Sequence, residues 1–282
     1  MRSLGTWKIR NICFNWGQRT YLMGVLNVTP DSFSDGGQFD SVAAALTQAQ
    51  HLVAAGADIL DIGGQSTRPQ AAEVAVETEL ARVIPVIEAV RSQLQVPISV
   101  DTTRAVVAKA AVAAGADIVN DISGATFDPD MLATVAALQV PLILMHIRGT
   151  PQTMQQLTDY QDLVGEMQAF LKARIEAAIA AGIDPAHLMI DPGIGFAKTY
   201  AQNLELLRRV AEFRALGCPI LVGPSRKSFI GHILNQPDPQ QRVWGTAAAC
   251  AAAIAGGADV LRVHDVPEIQ DVCRVSDAIW RQ

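Results

Sequence analysis

Short apolar segments without polar alternation recur along the chain, and longer segments with helical spacing separate them. Continuous apolar runs of this kind are typical of parallel strands covered on both faces. The predicted strands are Leu22–Asn27, Ile59–Gly63, Ile98–Asp101, Ile118–Asp121, Leu142–His146, Leu188–Asp191, Ile220–Gly223 and Val260–His264. The predicted helices between them include Ser41–Ala55, Val74–Gln93, Arg104–Ala114 and Gln202–Leu216.

A short sequence repeat supports this alternation. The segment AGADILD at residues 55–61 is similar to AGADIVN at 114–120 and to GGADVLR at 256–262, and each copy follows an alanine-rich segment. A glycine at a helix end lets the chain leave the right-handed helical conformation. Each copy therefore predicts the helix–glycine–strand half of a βα unit.

The alternation predicts the fold class. Eight strands alternating with helices in 282 residues indicate an α/β protein, with a single (β/α)8 TIM barrel over residues 21–282. Residues 1–20 are an N-terminal extension, predicted to be a hairpin that closes the barrel floor. A doubly wound open sheet is the alternative architecture.

Composition and charge exclude several classes of protein. The chain is 50% hydrophobic and 18% charged, which excludes a disordered chain, and its net charge of −6 argues against general binding to nucleic acids. The longest apolar run, residues 247–255, is much shorter than the roughly 20 residues of a membrane span. Without a predicted export signal, we expect a cytoplasmic protein whose four cysteines are small buried residues.

Polar residues stand at or just after the ends of the predicted strands. They are Asn27, Asp61, Asp101, Asn120, Asp121, His146, Asp191, Ser225–Lys227, Arg262 and His264. Any one of them is equally typical of a helix cap or a turn. Because the carboxyl ends of barrel strands meet at one mouth, the whole set predicts a small polar pocket there.

The mixture of side chains indicates what the pocket binds. Carboxylates and amides such as Asp101 and Asp191 accept hydrogen bonds and suit a heteroaromatic ring rich in N–H donors. Arg68, Lys227 and Arg262 suit a phosphate or carboxylate. The set fits one ligand with both features, or two ligands. Residues 27–37 and 63–69 form polar loops that are candidate lids.

Several segments, taken in order, resemble the dihydropteroate synthase family of pterin-binding TIM barrels. They are Leu26–Gly37, Asp61–Pro69, Ser99–Thr102, Asn120–Ile122, Met145–His146, Asp191–Phe196, Ser225–Ser228 and Arg262–Asp265. The resemblance implies a transferase of folate biosynthesis that condenses 6-hydroxymethyl-7,8-dihydropterin diphosphate with 4-aminobenzoate. It also implies a homodimer and a sulfonamide target.

The resemblance implies a role for each matching residue. The pterin would be bound by Asp101, Asn120, Asp191 and Lys227, with Met145 and Gly223 packing near the ring. The diphosphate would be held by Arg262 and His264, with Mg2+ on Asn27. The aminobenzoate would be bound by Thr67, Arg68, Pro69, Phe196, Lys227 and Ser228. Asp101, Lys227, Arg262 and His264 would be catalytic.

One position departs from the family motif and leaves two alternatives open. Gln65 stands where the motif usually carries glutamate, which removes a charge but keeps size and hydrogen bonding. This change alone favours a catalytically silent pterin-binding paralogue. A pterin-binding methyltransferase module is the second alternative, but it would not need the aminobenzoate loop or the Ser-Arg-Lys-Ser segment at residues 225–228.

Overall fold

Eight parallel strands form the wall of a barrel in the computed structural model, which describes residues 5–29, 38–68 and 71–281. The strands are β1 (Thr6–Ile9) and β2 (Ile12–Asn15) in an N-terminal hairpin, followed by β3 (Tyr21–Asn27), β4 (Ile59–Gly63), β5 (Ile98–Asp101), β6 (Ile118–Asp121), β7 (Leu142–Met145), β8 (Leu188–Asp191), β9 (Leu221–Val222) and β10 (Val260–Val263). Strands β3 to β10 pair with their neighbours without a reversal of order, and a bridge between Ile190 and Ile220 joins the two edges. The predicted TIM barrel is confirmed, and the open-sheet alternative is wrong.

Helices surround the barrel. They are α1 (Gln38–Ala54), α2 (Val76–Gln93), α3 (Ala105–Ala114), α4 (Met131–Leu138), α5 (Leu163–Ala180), α6 (Tyr200–Arg208), α7 (Ser228–Ile233), α8 (Val243–Ala255) and α9 (Val266–Trp280). The 3-10 segments are Met154–Gln156, Pro185–His187, Val210–Leu216 and Pro239–Arg242. No helix in the described ranges is long and apolar enough to cross a membrane.

The predicted helix Gln202–Leu216 is wrong in one respect. The chain forms α6, leaves the helical conformation at Arg209 (φ −113°, ψ 13°), and continues as the 3-10 segment. Val210 packs so tightly on Gly256 that a Cβ at Gly256 would lie 2.8 Å from the Cβ of Val210. This contact joins residues that are distant in sequence, so the local pattern carries no sign of it.

The repeat glycines and aspartates have distinct structural roles. Gly56, Gly115 and Gly257 all have positive φ (104°, 117° and 87°), which confirms the predicted helix-ending glycines. The aspartate two residues after each glycine accepts a backbone N–H from a neighbouring strand. Asp58 accepts from Leu22 at 2.9 Å, Asp117 from Ile98 at 2.9 Å, and Asp259 from Ile220 at 3.0 Å. The repeat therefore ties successive βα units together at the amino-terminal end of the barrel.

The hairpin of β1 and β2 covers that same end. Trp7, Phe14, Trp16 and Tyr21 pack in one aromatic cluster, in which Trp7 and Trp16 meet edge-on with ring centroids 5.1 Å apart. The cluster is continuous with the buried side chains of Met23, Ile59, Ile118, Ile143, Met189, Leu221 and Val260. The predicted hairpin is confirmed, and residues 1–4 of the extension lie outside the described residues.

The cysteine prediction holds for three positions. Cys218, Cys250 and Cys273 are buried, whereas Cys13 is exposed because it lies on the outer face of β2, opposite the buried Phe14. All four are free thiols.

Candidate active site

Strand register places several predicted site residues side by side at the carboxyl end of the barrel. Asn27 of β3 pairs with Gly63 of β4, Gly63 pairs with Asp101 of β5, and Asp101 pairs with Asn120 of β6. On the other side, Met145 of β7 pairs with Asp191 of β8. The predicted convergence of these side chains is therefore a consequence of in-register parallel pairing.

A buried ion-pair network lies at the centre of the mouth. The Arg262 side chain on β10 donates from Nε to Asp61 Oδ2 at 2.6 Å and from Nη2 to Asp101 Oδ2 at 2.8 Å. Asn120 Nδ2 also donates to Asp61 Oδ2, at 3.2 Å. Burial alone would lower the pKa of Arg262, but the two carboxylates raise it overall. One guanidinium is thus shared by two carboxylates, and the arginine stays charged.

Asp61 also belongs to this network, although its position at a strand end did not indicate which ligand it would bind. It is fully buried, and its Oδ1 has no hydrogen-bond partner among the described residues. Its position after an apolar run was visible in the sequence. Its pairing with Arg262, which is 201 residues away, was not.

Asp191 is a buried and Lys227 a half-buried titratable group on neighbouring segments of the mouth. Asp191 Oδ1 accepts the Gly193 N–H at 2.7 Å, and burial raises the Asp191 pKa to about 6. Burial, together with Arg262, lowers the pKa of Lys227 to about 8. The Lys227 Nζ lies 4.1 Å from the centroid of the Phe196 ring. These shifts place both groups near their titration points at neutral pH.

Gly195 allows Lys227 to lie across the loop after β8. Its φ is +86°, and a Cβ there would lie 2.8 Å from Lys227 Cδ. The same loop is fixed from beneath by the buried Lys198, which donates to the carbonyls of Gly193 (2.9 Å) and Phe196 (2.8 Å). No sequence motif singled out Lys198, and its role follows only from the loop conformation.

His264 and Ser225 meet where the loops after β10 and β9 come together. Ser225 Oγ lies 2.9 Å from His264 Nδ1, and the His264 backbone N–H donates to the same oxygen at 3.2 Å. Poor solvation and the charges of Arg262, Arg226, Lys227 and Arg68 lower the pKa of His264 to about 3. His264 is therefore a neutral imidazole at physiological pH.

His146 and Asp121, which the strand-end pattern placed at the mouth, turn away from the pocket. His146 is buried edge-on against Phe170 at 5.1 Å, with Lys198 Nζ 3.3 Å from its Nδ1. Met145, one residue earlier, belongs instead to an apolar cluster with Ile122 and other residues, as strand alternation requires. Asp121 accepts hydrogen bonds from the Ser123 N–H (2.7 Å) and hydroxyl (2.6 Å), so it stabilises a turn.

The loop after β4 lines a cavity beside the network. Thr67 and Gln65 face this cavity together with Asp101, Thr102, Ile122, Phe127 and Thr150. Gln65 Oε1 accepts the Val74 N–H at 3.2 Å. A glutamate carboxylate accepts in the same way, so the substitution at this position keeps the loop contact.

The remaining predicted aminobenzoate residues lie around the same mouth. Arg68 is exposed, but its charge reaches His264, whose pKa it helps to lower. Ser228 is exposed at the first residue of α7, next to Lys227. Gly223 follows β9, and a Cβ at this glycine would lie 3.7 Å from the Cβ of Arg262. Pro69 and residues 30–37 of the first predicted lid lie outside the described residues.

Together these features define a class of protein. The molecule is a TIM barrel whose mouth combines buried hydrogen-bond acceptors with a cationic side formed by arginine, lysine and a neutral histidine. Such a mouth binds a ring rich in donors next to an anionic group.

Comparisons with known proteins identify the family. The family model described as pterin binding enzyme matches residues 23–264. The dihydropteroate synthase of Synechocystis sp. is 61% identical over 268 residues, which is 95% of this chain and 93% of that protein. The chain belongs to the pterin-binding enzymes and, within them, to the dihydropteroate synthases.

Solved structures of dihydropteroate synthases agree with this chain in fold. The crystal structure of dihydropteroate synthase from Clostridium difficile in the presence of pteroic acid has a TM-score of 0.91 and 43% identity, and covers 95% of this chain and 100% of that one. The Xanthomonas albilineans dihydropteroate synthase with 4-aminobenzoic acid has a TM-score of 0.88 and 48% identity, and covers 93% and 94% respectively.

Proposed function

We propose that this protein condenses 6-hydroxymethyl-7,8-dihydropterin diphosphate with 4-aminobenzoate and releases dihydropteroate and diphosphate, as a transferase of folate biosynthesis. The observation that carries the proposal is the buried row of Asp101, Asn120 and Asp191 beside Lys227 and Arg262. It combines acceptors for a donor-rich ring with cations for a leaving anion.

The pterin ring is recognised by hydrogen-bond acceptors and packed by apolar groups. The Asp191 carboxylate accepts from the amino and N–H edge of the ring, in the bidentate manner that a carboxylate allows. Asn120 uses its amide nitrogen on Asp61, so its oxygen remains as an acceptor. Met145, which belongs to an apolar cluster, packs near the ring together with Gly223.

The leaving diphosphate is bound at the cationic side. Arg262 supplies a fixed charge, and His264 supplies a hydrogen bond from a neutral ring. Bond breaking occurs between the pterin methylene carbon and the diphosphate oxygen, and the electron pair leaves with the diphosphate. Charge-assisted donors aimed at that oxygen lower the barrier.

The Asp101 carboxylate stabilises the positive charge that develops on the pterin as diphosphate leaves. The neutral amine of aminobenzoate then forms the carbon–nitrogen bond and releases a proton to solvent. This nucleophile needs positioning more than deprotonation. We assign its carboxylate to Arg68, Thr67 and Ser228, and its ring to the neighbourhood of Phe196 and Lys227, where Lys227 and Phe196 already touch. The resemblance to the family implies that Pro69 completes this site.

We also propose that Mg2+ takes part, with Asn27 as the protein ligand. Asn27 is half-buried at the end of β3, and its oxygen is a donor that Mg2+ prefers. The described residues contain no cluster of three or more His, Cys, Asp or Glu side chains suited to a metal. Asn27 therefore fits a metal that arrives with the diphosphate. When bound, that metal would neutralise charge on the diphosphate.

The assembly and location are proposed on separate observations. A homodimer is supported by exposed apolar side chains on α7 and α8, among them Ile233 and Trp244 (56% and 77% exposed). A cytoplasmic location is supported by the four free cysteines.

Diphosphate release by the purified protein tests the function. The assay contains the pterin diphosphate, 4-aminobenzoate and Mg2+, and each is omitted in turn. We expect release only with all three, with dihydropteroate detected by mass spectrometry. Tight pterin binding without release would instead identify the silent paralogue. Because Gln65 keeps its contact with Val74, we expect Gln65→Glu to change the rate less than threefold, or about 0.6 kcal/mol.

A further inference from the structure

Ser225 is a buried serine whose hydroxyl contacts His264 twice. It follows β9 and His264 follows β10, and the two strands pair in parallel at Leu221–Val260 and Val222–Leu261. Its Oγ lies 2.9 Å from His264 Nδ1 and 3.2 Å from the His264 backbone nitrogen. Ser225 has no role in the binding scheme described so far.

The direction of these two hydrogen bonds follows from the donors available. A backbone N–H can only donate, so Ser225 Oγ accepts from His264 N. The serine hydroxyl has a single hydrogen of its own, and among the described residues the acceptor paired with it is His264 Nδ1. If Nδ1 carried the proton instead, the hydroxyl hydrogen would have no partner in this set of contacts. This pairing favours a hydroxyl that donates to Nδ1.

We propose that Ser225 is a positioning residue that holds the neutral imidazole of His264 in the tautomer with the proton on Nε2, and so presents an N–H donor to the leaving diphosphate. The tautomer assignment stands on the free protein. Its use in catalysis rests on the proposed function.

The charges around His264 explain why a neutral donor suits this place. Burial is the largest cause that keeps the ring unprotonated, and the charges of Arg262, Arg226, Lys227 and Arg68 add to it. With a proton on Nδ1, the ring would turn a lone pair toward the anion and repel it. With the proton on Nε2, the ring donates to the anion without adding another positive charge to a crowded cationic site.

A second pair of contacts holds Ser225 and His264 in register. The next residues along the two loops, Arg226 and Asp265, form a two-bond ion pair in which Arg226 Nε lies 3.1 Å from Asp265 Oδ2 and Arg226 Nη2 bonds to Asp265 Oδ1. Arg226 has a left-handed φ of 59°, which its N–H to Thr246 Oγ1 (3.0 Å) and its carbonyl to Arg242 (3.0 Å) support. The Arg226–Asp265 ion pair therefore helps to fix the distance between Ser225 Oγ and His264 Nδ1.

Nitrogen NMR of the full-length protein measures the tautomer directly. The histidines are labelled with 15N, and His264→Gln assigns the His264 signals by their loss. We expect Nε2 to be protonated and Nδ1 to be unprotonated from about pH 5.5 to pH 8. In Ser225→Ala we expect the two tautomers to mix, and in Ser225→Thr, which keeps a hydroxyl, the Nε2–H form to return. A wild-type ring protonated on Nδ1 or on both nitrogens would overturn the proposal, as would an unchanged spectrum in Ser225→Ala.

Kinetics provide the second measurement. We expect Ser225→Ala to lower kcat by about 10- to 100-fold, the scale for losing one aimed donor, with little change in the KM of aminobenzoate. Ser276→Ala, at a buried serine of α9, is the matched control and should alter neither kcat nor the His264 signals. Unchanged kcat in Ser225→Ala, with a mixed tautomer, would remove the catalytic role. If the wild-type protein releases no diphosphate, the proposed function fails while the spectrum still decides the tautomer.

Discussion

Asp101 illustrates how one residue serves both structure and chemistry. Its carboxylate pairs with Arg262 at 2.8 Å, and burial raises its pKa while Arg262 opposes the shift. Strand-end position alone predicted that Asp101, Asn120 and Asp191 would lie together, because parallel strands in register end at one level. It did not reveal which neighbour each residue would choose. Asp61 with Arg262 and Ser225 with His264 are contacts between residues distant in sequence that no local pattern encodes.

Asp101→Asn tests the charge of that side chain at nearly constant size. We expect kcat to fall by about 100-fold or more, because the amide cannot stabilise the developing cation. The affinity for the pterin should fall much less, since the amide still fills the site. Steady-state rates and calorimetric titration with 6-hydroxymethylpterin measure the two effects. Equal losses in rate and affinity would contradict a role in the transition state.

The Asp191 and Lys227 pair predicts a bell-shaped pH profile. Asp191 loses its charge as the pH falls through its pKa of about 6, and Asp101 does so as the pH falls through its pKa of about 7. Lys227 loses its charge as the pH rises through its pKa of about 8, so the acidic limb belongs to both carboxyl groups and the basic limb to the lysine. The kcat/KM for the pterin diphosphate should therefore decline on both sides. Binding of 6-hydroxymethylpterin, which has no diphosphate to titrate, is the control for the substrate's own ionisation. A pterin affinity that stays constant from about pH 5 to pH 9 would contradict this assignment.

At the scale of elements, the helix–glycine–strand repeat was predicted correctly, because it rests on local conformation. The end of α6 at Arg209 was not, and the next residue, Val210, packs against Gly256, a neighbour that the local pattern does not show. The repeat aspartates show the same division. Their sequence position marks the start of a strand, but their bonds to the neighbouring strand appear only in the fold. Asp117 accepts the Ile98 N–H and also pairs with Arg91 and Arg10.

Asp117→Ala should lower stability without affecting chemistry. Removing the carboxylate leaves the Ile98 N–H without its acceptor and takes the carboxylate partner from two arginines, which costs about 1.5 to 3 kcal/mol. The site is at the far end of the barrel, so kcat at a temperature well below unfolding should not change. Urea denaturation measures the free energy of unfolding. Asp130→Ala is the matched control. Asp130 is an exposed aspartate at the N-cap of α4, and its side chain makes no cap hydrogen bond. A loss of kcat in folded Asp117→Ala would show that the two ends of the barrel are coupled.

At the scale of the whole molecule, the barrel separates stability from chemistry. The aromatic hairpin and the repeat aspartates hold the amino-terminal end, while the charged network lies at the carboxyl end. Between them runs a side wall on which α7 and α8 present apolar side chains to solvent. Ile233, Leu234 and Trp244 are 56%, 49% and 77% exposed. The segments that carry them lie close together, since a Cβ on Gly245 would lie 2.9 Å from the Leu234 side chain. A contiguous apolar patch of this kind is typical of an interface between subunits.

Trp244→Glu tests that interface. A buried charge at the centre of a subunit contact is unfavourable, because the carboxylate loses its hydration without gaining a partner. We expect light scattering on a sizing column to give a dimer for the wild-type protein and a monomer for Trp244→Glu, with the same far-ultraviolet circular dichroism. Val106→Glu places the same charge on α3, at an apolar side chain that is 52% exposed, and should remain dimeric. A wild-type monomer at micromolar concentration would contradict the proposed homodimer. A dimer that survives Trp244→Glu would move the interface to another face of the barrel.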